Sequence, residues 1–299
     1  MASGTELVGD YRLFHLIRKG ATFEIWAVRP VSRDKPYAMK WLPRNSKKYG
    51  RSTVAELKHE YEVGKGLKHP GVIETFEFGN AKEGAYVLME FFKTPNLKQR
   101  IVSSLESVKR GEGEQLQWRV RDILLNAAAG LSHMHEKGWV HRDVKPDNYL
   151  VNDNNEARLI DFTIASKTTG ALGKLFGAKP KVQGTYSYMS PEQIRGQGID
   201  PRDDVYSFGC MVHELLSGKV PFTANSPNEL LQRHLKGRPP TLTVADKNIR
   251  PDFAAYVQRL LAKERAERPN TMKEVMLKLK TEQIFHTPPK KPAPPDGDD

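Results

Sequence analysis

The stretch that most restricts this chain is residues 139–163, W-V-H-R-D-V-K-P-D-N-Y-L-V-N-D-N-N-E-A-R-L-I-D-F-T. It sets Asp143, Lys145, Asn148 and Asp161 on two short polar turns framed by residues of strand type, Tyr149, Leu150 and Val151 after the first and Leu159 and Ile160 before the second. A buried hairpin core has no use for so many carboxylates and amides, because a polar group taken from water without a partner costs roughly 2–7 kcal/mol. The two turns therefore read as a site that holds a divalent cation and a proton acceptor close together.

The rest of the chain supplies frame for such a site. At 299 residues it is long enough for one large or two modest domains with ample core. Residues 11–39 alternate apolar and polar positions (Tyr11, Leu13, Ile25, Ala27, Tyr37, Met39) with turn residues at Arg29-Pro30 and Arg33-Asp34, which predicts a three-strand antiparallel meander. Val54, Leu57, Tyr61 and Val63 have approximate helical spacing within 52–67, and strands follow at 72–78 and 86–91. Helices are expected over 96–109 and 115–137, the second with Leu116, Val120, Ile123, Leu124, Ala127, Leu131 and Met134 on one broad face and Gly138 as its stop. His133 and His135 stand two apart on that helix and point away from each other, so they do not read as a metal pair.

Lys and Arg number 47 against 36 Asp and Glu, a net charge of +11. No basic stripe interleaved with aromatics accompanies the excess, which reads as solvated surface rather than a nucleic-acid interface. The single cysteine, Cys210, lies in the apolar run V-Y-S-F-G-C-M-V-H-E-L-L, excluding an internal disulfide and fitting a reducing compartment. No apolar window is long enough to span a bilayer and no leader-like segment opens the chain, so the expectation is a soluble, cytoplasmic protein with no membrane partner.

His141-Arg142-Asp143 with Lys145 and Asn148, followed 13 residues past Asn148 by Asp161-Phe162-Thr163, resembles the catalytic loop and magnesium motif of eukaryotic-type protein kinases. The likeness runs from about Val8 to Thr281, and the phrases G-K-V-P-F, H-L-K-G-R-P-P and E-R-P are similar to those of bacterial kinases of this type. The resemblance implies an α+β, bilobal protein kinase fold, with a small antiparallel β lobe carrying helix C and a larger, mainly α-helical lobe. The implied divisions are 1–91, 92–284 and a Pro-rich disordered tail or linker at 285–299.

The resemblance further implies an ATP-dependent serine/threonine protein kinase acting on protein substrates, with Mg2+ and alternatively Mn2+ as cofactor. Asp143 would accept or orient the proton of the attacking hydroxyl and Lys145 would stabilise the transferring phosphoryl group. Asn148 and Asp161 would hold the metal. Lys40, ending Tyr37-Ala38-Met39-Lys40, would reach the α and β phosphates and pair with Glu60, nine residues before His69-Pro70. Ile17, Gly20, Ile25, Ala38 and Leu150 would surround the nucleotide, Met89 would stand behind the base, and the backbone of Glu90 and Phe92 would bond it.

Thr185, in Gly184-Thr185-Tyr186-Ser187-Tyr188-Met189-Ser190-Pro191-Glu192, would sit near Asp143 and Lys145. Asp204 would cap the catalytic-loop backbone, and Glu192 would pair with Arg268. Arg142 would receive a phosphate from the activation segment, with Ser166, Thr168 and Thr169 as candidate autophosphorylation sites. Nothing near Asn96 offers a carboxylate for an arginine-directed substrate.

Three departures stand out. The glycine-rich lid survives only as Gly20 within Arg18-Lys19-Gly20-Ala21-Thr22-Phe23, where Phe23 would crowd a triphosphate and Lys19 or Arg18 could compensate by charge. Gly64 replaces the apolar residue expected to stack on Phe162, which predicts a short stack and a mobile helix C. Thr163 replaces a glycine, which predicts a stiffer pivot for the activation segment. The competing reading is a pseudokinase serving as a nucleotide-binding scaffold.

Overall fold

Alternation between apolar and polar residues produces a six-stranded antiparallel sheet in the order β1-β2-β3-β4-β6-β5. Its strands are β1 (Leu7–Val8), β2 (Tyr11–Lys19), β3 (Glu24–Pro30), β4 (Tyr37–Pro43), β5 (Thr75–Asn80) and β6 (Gly84–Glu90). The computed structural model describes residues 7–110, 116–168 and 183–290. It divides into two compact units, Met1–Lys93 with Ile160–Ala165, and Thr94–Leu159 with Ser166–Asp299. The six-residue segment holding Asp161 thus packs with the first unit, which a linear division of the sequence at residue 91 does not anticipate.

In the first unit, Met39 and Trp41 of β4 turn toward a core shared with Val8, Leu13, Val28, Tyr86 and Leu88. Strand alternation puts Lys40 on the opposite face. That face is covered by α1 (Arg51–Gly64), whose buried residues include Leu57, Glu60 and Gly64 at helical spacing. A glutamate in the buried stripe of a helix is costly unless it finds a cation, and the register of β4 provides one.

The second unit is mainly helical. Its centre is the helix Pro201–Ser217, buried at every residue from Asp203 to Leu216. Asp200 caps its start by accepting the Arg202 N–H, and Pro201 occupies the first turn. Around it lie α2 (Leu97–Lys109), capped by Asn96, and α3 (Val120–Glu136), which buries Val120, Ile123, Leu124, Ala127, Leu131 and Met134. Two small ribbons flank the catalytic-loop sequence: β7 (Trp139–Val140) pairs with β10 (Ser166–Lys167), and β8 (Tyr149–Val151) with β9 (Ala157–Leu159).

The end of the chain departs from the expected tail at 285. Ile284 and Phe285 are buried, Ile249 bridges Phe285, and Asn248 exchanges hydrogen bonds of 2.8–2.9 Å with His286 and Thr287. Residues 285–287 therefore belong to the packed unit, because two apolar side chains and three backbone groups find partners there. Residues 291–299 lie outside the described residues.

Candidate active site

Within the first unit, Lys40 Nζ donates to Glu60 Oε2 at 2.5 Å, to Asp161 Oδ1 at 3.2 Å and to Thr163 Oγ1 at 3.1 Å. Burial works against the ammonium, but Glu60 and Asp161 outweigh it and hold Lys40 above its ordinary pKa. Burial likewise pushes the Glu60 carboxyl up, against the pull of Lys40. Asp161 adopts φ +67°, a left-handed conformation that a non-glycine residue accepts only where its surroundings over-determine it. Phe162, 1% exposed, supplies the packing that does so, while the Asp161 side chain remains 41% exposed.

Gly64 explains how Phe162 is seated. A Cβ at residue 64 would stand 2.4 Å from Thr75 Oγ1 and 3.3 Å from Phe162 Cδ2, so Thr75 and Phe162 already occupy the space an apolar side chain would take. The short stack expected at this position is thus filled from β5, and α1 runs unbroken to Gly64.

The lid turn closes by a bond from the Gly20 N–H to the Phe23 carbonyl at 2.9 Å, and a Cβ on Gly20 would meet that same oxygen at 2.9 Å. Phe23 places its ring 5.0 Å from the Lys40 ammonium. Lys19 pairs with Glu24 at 3.2 Å, so its charge is partly spoken for. Ile25 lies opposite Lys40 and Ala38 opposite Met89 in the sheet, whereas Ile17 is 46% exposed. The Glu90 N–H donates to the Glu74 carbonyl, and Phe92 is half-buried.

Within the second unit, Asp143 gathers four donors. Oδ1 accepts the Thr185 N–H at 3.0 Å and hydroxyl at 2.9 Å; Oδ2 accepts Lys145 Nζ at 2.6 Å and Asn148 Nδ2 at 3.1 Å. Lys145 also donates to Thr185 Oγ1 at 2.6 Å. Asn148 Nδ2 further bonds the Asp143 carbonyl at 2.8 Å, which fixes the amide so that its oxygen is directed elsewhere. Leu150, on β8, bridges Asn96.

This loop is held from beneath. Asp204 accepts the backbone N–H of His141 at 2.7 Å and of Arg142 at 2.8 Å, and its Oδ2 also takes His135 Nε2 at 2.8 Å. Burial alone would raise its carboxyl, but His135, His141 and the Arg142 N–H hold it below the ordinary range. Those bonds stabilise Arg142 at φ +69°, and Gln193 Nε2 donates to its carbonyl at 2.7 Å. The pairing of His135 with Asp204, 69 residues apart, has no signal in sequence spacing.

Arg268 is buried, with Nη2 3.0 Å from both oxygens of Glu192, and Arg142 Nη1 donates to Ser166 Oγ at 3.0 Å. The Thr168 N–H reaches the Gly138 carbonyl at 3.1 Å, and Thr169 lies outside the described residues. Also unanticipated is buried Glu214, which Lys98 contacts and to which Tyr188 Oη donates at 2.5 Å. Burial pushes the Cys210 thiol far up, so it packs rather than reacts.

A strand-end lysine paired with a helical glutamate in one unit, and a loop aspartate gripped by lysine, asparagine and threonine in the other, are each the arrangement expected of the protein kinase class. The chain matches the family described as protein kinase domain over residues 11–279, and it belongs to that family. It is 29% identical over 283 residues to the serine/threonine-protein kinase PknB of Mycobacterium tuberculosis, covering 93% of this chain and 44% of that protein. It is 32% identical over 274 residues to the serine/threonine-protein kinase pkn3 of Myxococcus xanthus, covering 89% and 48% respectively. The chain thus spans about half the length of these relatives, and it falls in the bacterial, eukaryotic-type serine/threonine branch of the family. Kinases of this family use ATP and a divalent metal and act on proteins. No helix among the described residues is long and apolar enough to cross a membrane.

Proposed function

We propose that this chain transfers the γ-phosphoryl group of ATP to serine and threonine hydroxyls of proteins, including its own. The observation that supports this most directly is the Asp143 cluster, in which Lys145 Nζ lies 2.6 Å from both the carboxylate and the Thr185 hydroxyl. Phosphoryl transfer asks little covalent chemistry of a protein and much positioning and charge compensation. Held by hydrogen bonds from Thr185, Lys145 and Asn148, the Asp143 carboxylate is placed to orient the attacking hydroxyl and accept its proton. Lys145 offsets charge on the transferring group, and Lys40, oriented by Glu60, neutralises the α and β phosphates.

Asp161 and Asn148 offer hard oxygen donors that suit Mg2+ or Mn2+, and the fixed Asn148 amide, with its nitrogen spent on Asp143, fits that use. When bound, the cation would neutralise phosphate oxygens. Ile17, Gly20, Ile25, Ala38, Met89 and Leu150 would enclose the nucleotide, with the backbone of Glu90 and Phe92 bonding the base. Ser166, beside Arg142, leads Thr168 and Thr169 as an autophosphorylation site, since a phosphate there meets a guanidinium already within reach. The reaction is assigned to a reducing compartment, the cytoplasm.

The rival scaffold reading rests on the altered lid, Gly64 and Thr163. Radiolabelled ATP transfer to a generic protein and to the chain itself, wild type beside Asp143→Asn, separates the two. Transfer by wild type alone supports catalysis; equal signal from both excludes it; nucleotide binding without transfer by either selects the scaffold.

A further inference from the structure

Thr163 stands where the family resemblance calls for glycine, and its hydroxyl lies within the Lys40 cluster. An ammonium has three N–H donors. Lys40 spends them on Glu60, Asp161 and Thr163, at 2.5, 3.2 and 3.1 Å, while the Phe23 ring covers it at 5.0 Å. The protein itself saturates this cation.

The Thr163 hydroxyl has one proton to give. Asp161 Oδ1 lies 2.6 Å away and Glu60 Oε2 3.1 Å, so the hydroxyl donates to Asp161 and accepts from Lys40. A phosphate oxygen needs an N–H of Lys40, and a metal ion needs lone pairs of Asp161. Thr163 Oγ1 occupies one of each. Among the three acceptors on Lys40 it is the neutral one, hence the weakest held and the first that a phosphate displaces. A β-branched side chain has few χ1 alternatives, which keeps the hydroxyl at its post.

From this we infer that Thr163 is a positioning residue that stands in for a phosphate oxygen. It closes Lys40 and Asp161 on each other before nucleotide binds, and it lowers nucleotide affinity by the exchange it imposes. The inference rests on the proposal that Lys40 and Asp161 serve ATP and a divalent cation.

Calorimetric titration with ATP and, separately, adenosine, at fixed and then varied Mg2+, tests it on wild type, Thr163→Val, Thr163→Ala and Thr163→Ser, each first shown to be folded by its melting transition. Valine keeps the shape and loses the hydroxyl; serine keeps the hydroxyl. Thr163→Val and Thr163→Ala should bind ATP about tenfold tighter, the size of one hydrogen bond to a charged group after exchange with solvent, and reach half-saturation at lower Mg2+. Thr163→Ser should match wild type, and adenosine, which has no phosphate, should bind all four alike. Equal or weaker ATP binding by the hydroxyl-free variants, or a gain that adenosine shares, overturns the inference and leaves the proposed function standing. Absence of ATP binding by all four at millimolar concentration overturns both.

Discussion

Each unit of this chain builds one cluster from a lysine, an aspartate and a threonine hydroxyl, and the two are wired in opposite senses. In the first, the cation is saturated: Lys40 has three oxygen acceptors, two of them carboxylates. In the second, the anion is saturated: among the described residues Asp143 takes four donors while Lys145 has two acceptors, both at 2.6 Å. The Lys40 side chain is 9% exposed and that of Lys145 18%. The same residue types thus give a fixed anchor in one place and, among the described residues, a cation with fewer acceptors in the other. What separates the roles is the count of partners each charge has, and that count is a property of packing.

The largest effect expected from breaking this pattern is at Asp143. Asp143→Asn should lower phosphoryl transfer by about 10³-fold while ATP affinity, measured by calorimetry, stays within about twofold; a loss of affinity equal to the loss of rate would make Asp143 a binding group. Next is the contrast in stability. Glu60→Ala strips a buried ammonium of its main partner and should cost about 3 kcal/mol, whereas Lys145→Ala, in the more exposed cluster, should cost only about 1 kcal/mol. Urea denaturation of the two variants side by side reads the difference, and equal losses would end the distinction between anchor and open cation.

A smaller effect tests how the anchor is seated. Gly64→Ala drives a methyl to within 2.4 Å of Thr75 Oγ1 and should destabilise the chain by about 2 kcal/mol. Adding Thr75→Ala should return part of that loss, because it removes the nearest atom but leaves Thr75 Cβ at 3.0 Å. No recovery in the double variant would place the strain elsewhere.

The smallest effect concerns pH and belongs to the second unit alone. Burial between Tyr206 and Phe222, with the Lys263 ammonium close by, lowers His234 from its ordinary 6.5 to about 3. The unfolded chain takes up the proton more readily than the folded one, so stability from this residue is complete above pH 6.5 and falls as pH drops toward 3. At pH 5.5 the loss is about 1 kcal/mol. His234→Phe should flatten that part of the stability curve, and an unchanged slope would assign the acid sensitivity to other groups.

Much of the architecture could be read from residue order. Alternation in residues 11–39, the helical stripe through Leu57 and the broad face from Val120 to Met134 are local patterns, and local geometry converts them into strands and helices without help from distant chain. The polar turns at 139–163 were visible for the same reason, since that many charged groups among strand residues have no place in a plain core. Other features were hidden because they depend on meetings across long separations. Thr75 fills the gap at Gly64, His135 supports Asp204, and Ile249 pins Phe285.

The sequence by itself determined which charged groups this protein owns and in what order they follow one another, because side-chain chemistry and hydrophobic period are written residue by residue. Only the tertiary structure decided how many partners each charge received. Thr163 is the sharpest instance: in the sequence it is a stiff residue in place of a glycine, and in the fold its hydroxyl bonds Lys40 and Asp161 at once. A hydrogen bond forms or fails within a few tenths of an ångström, and that distance is set by everything packed around it.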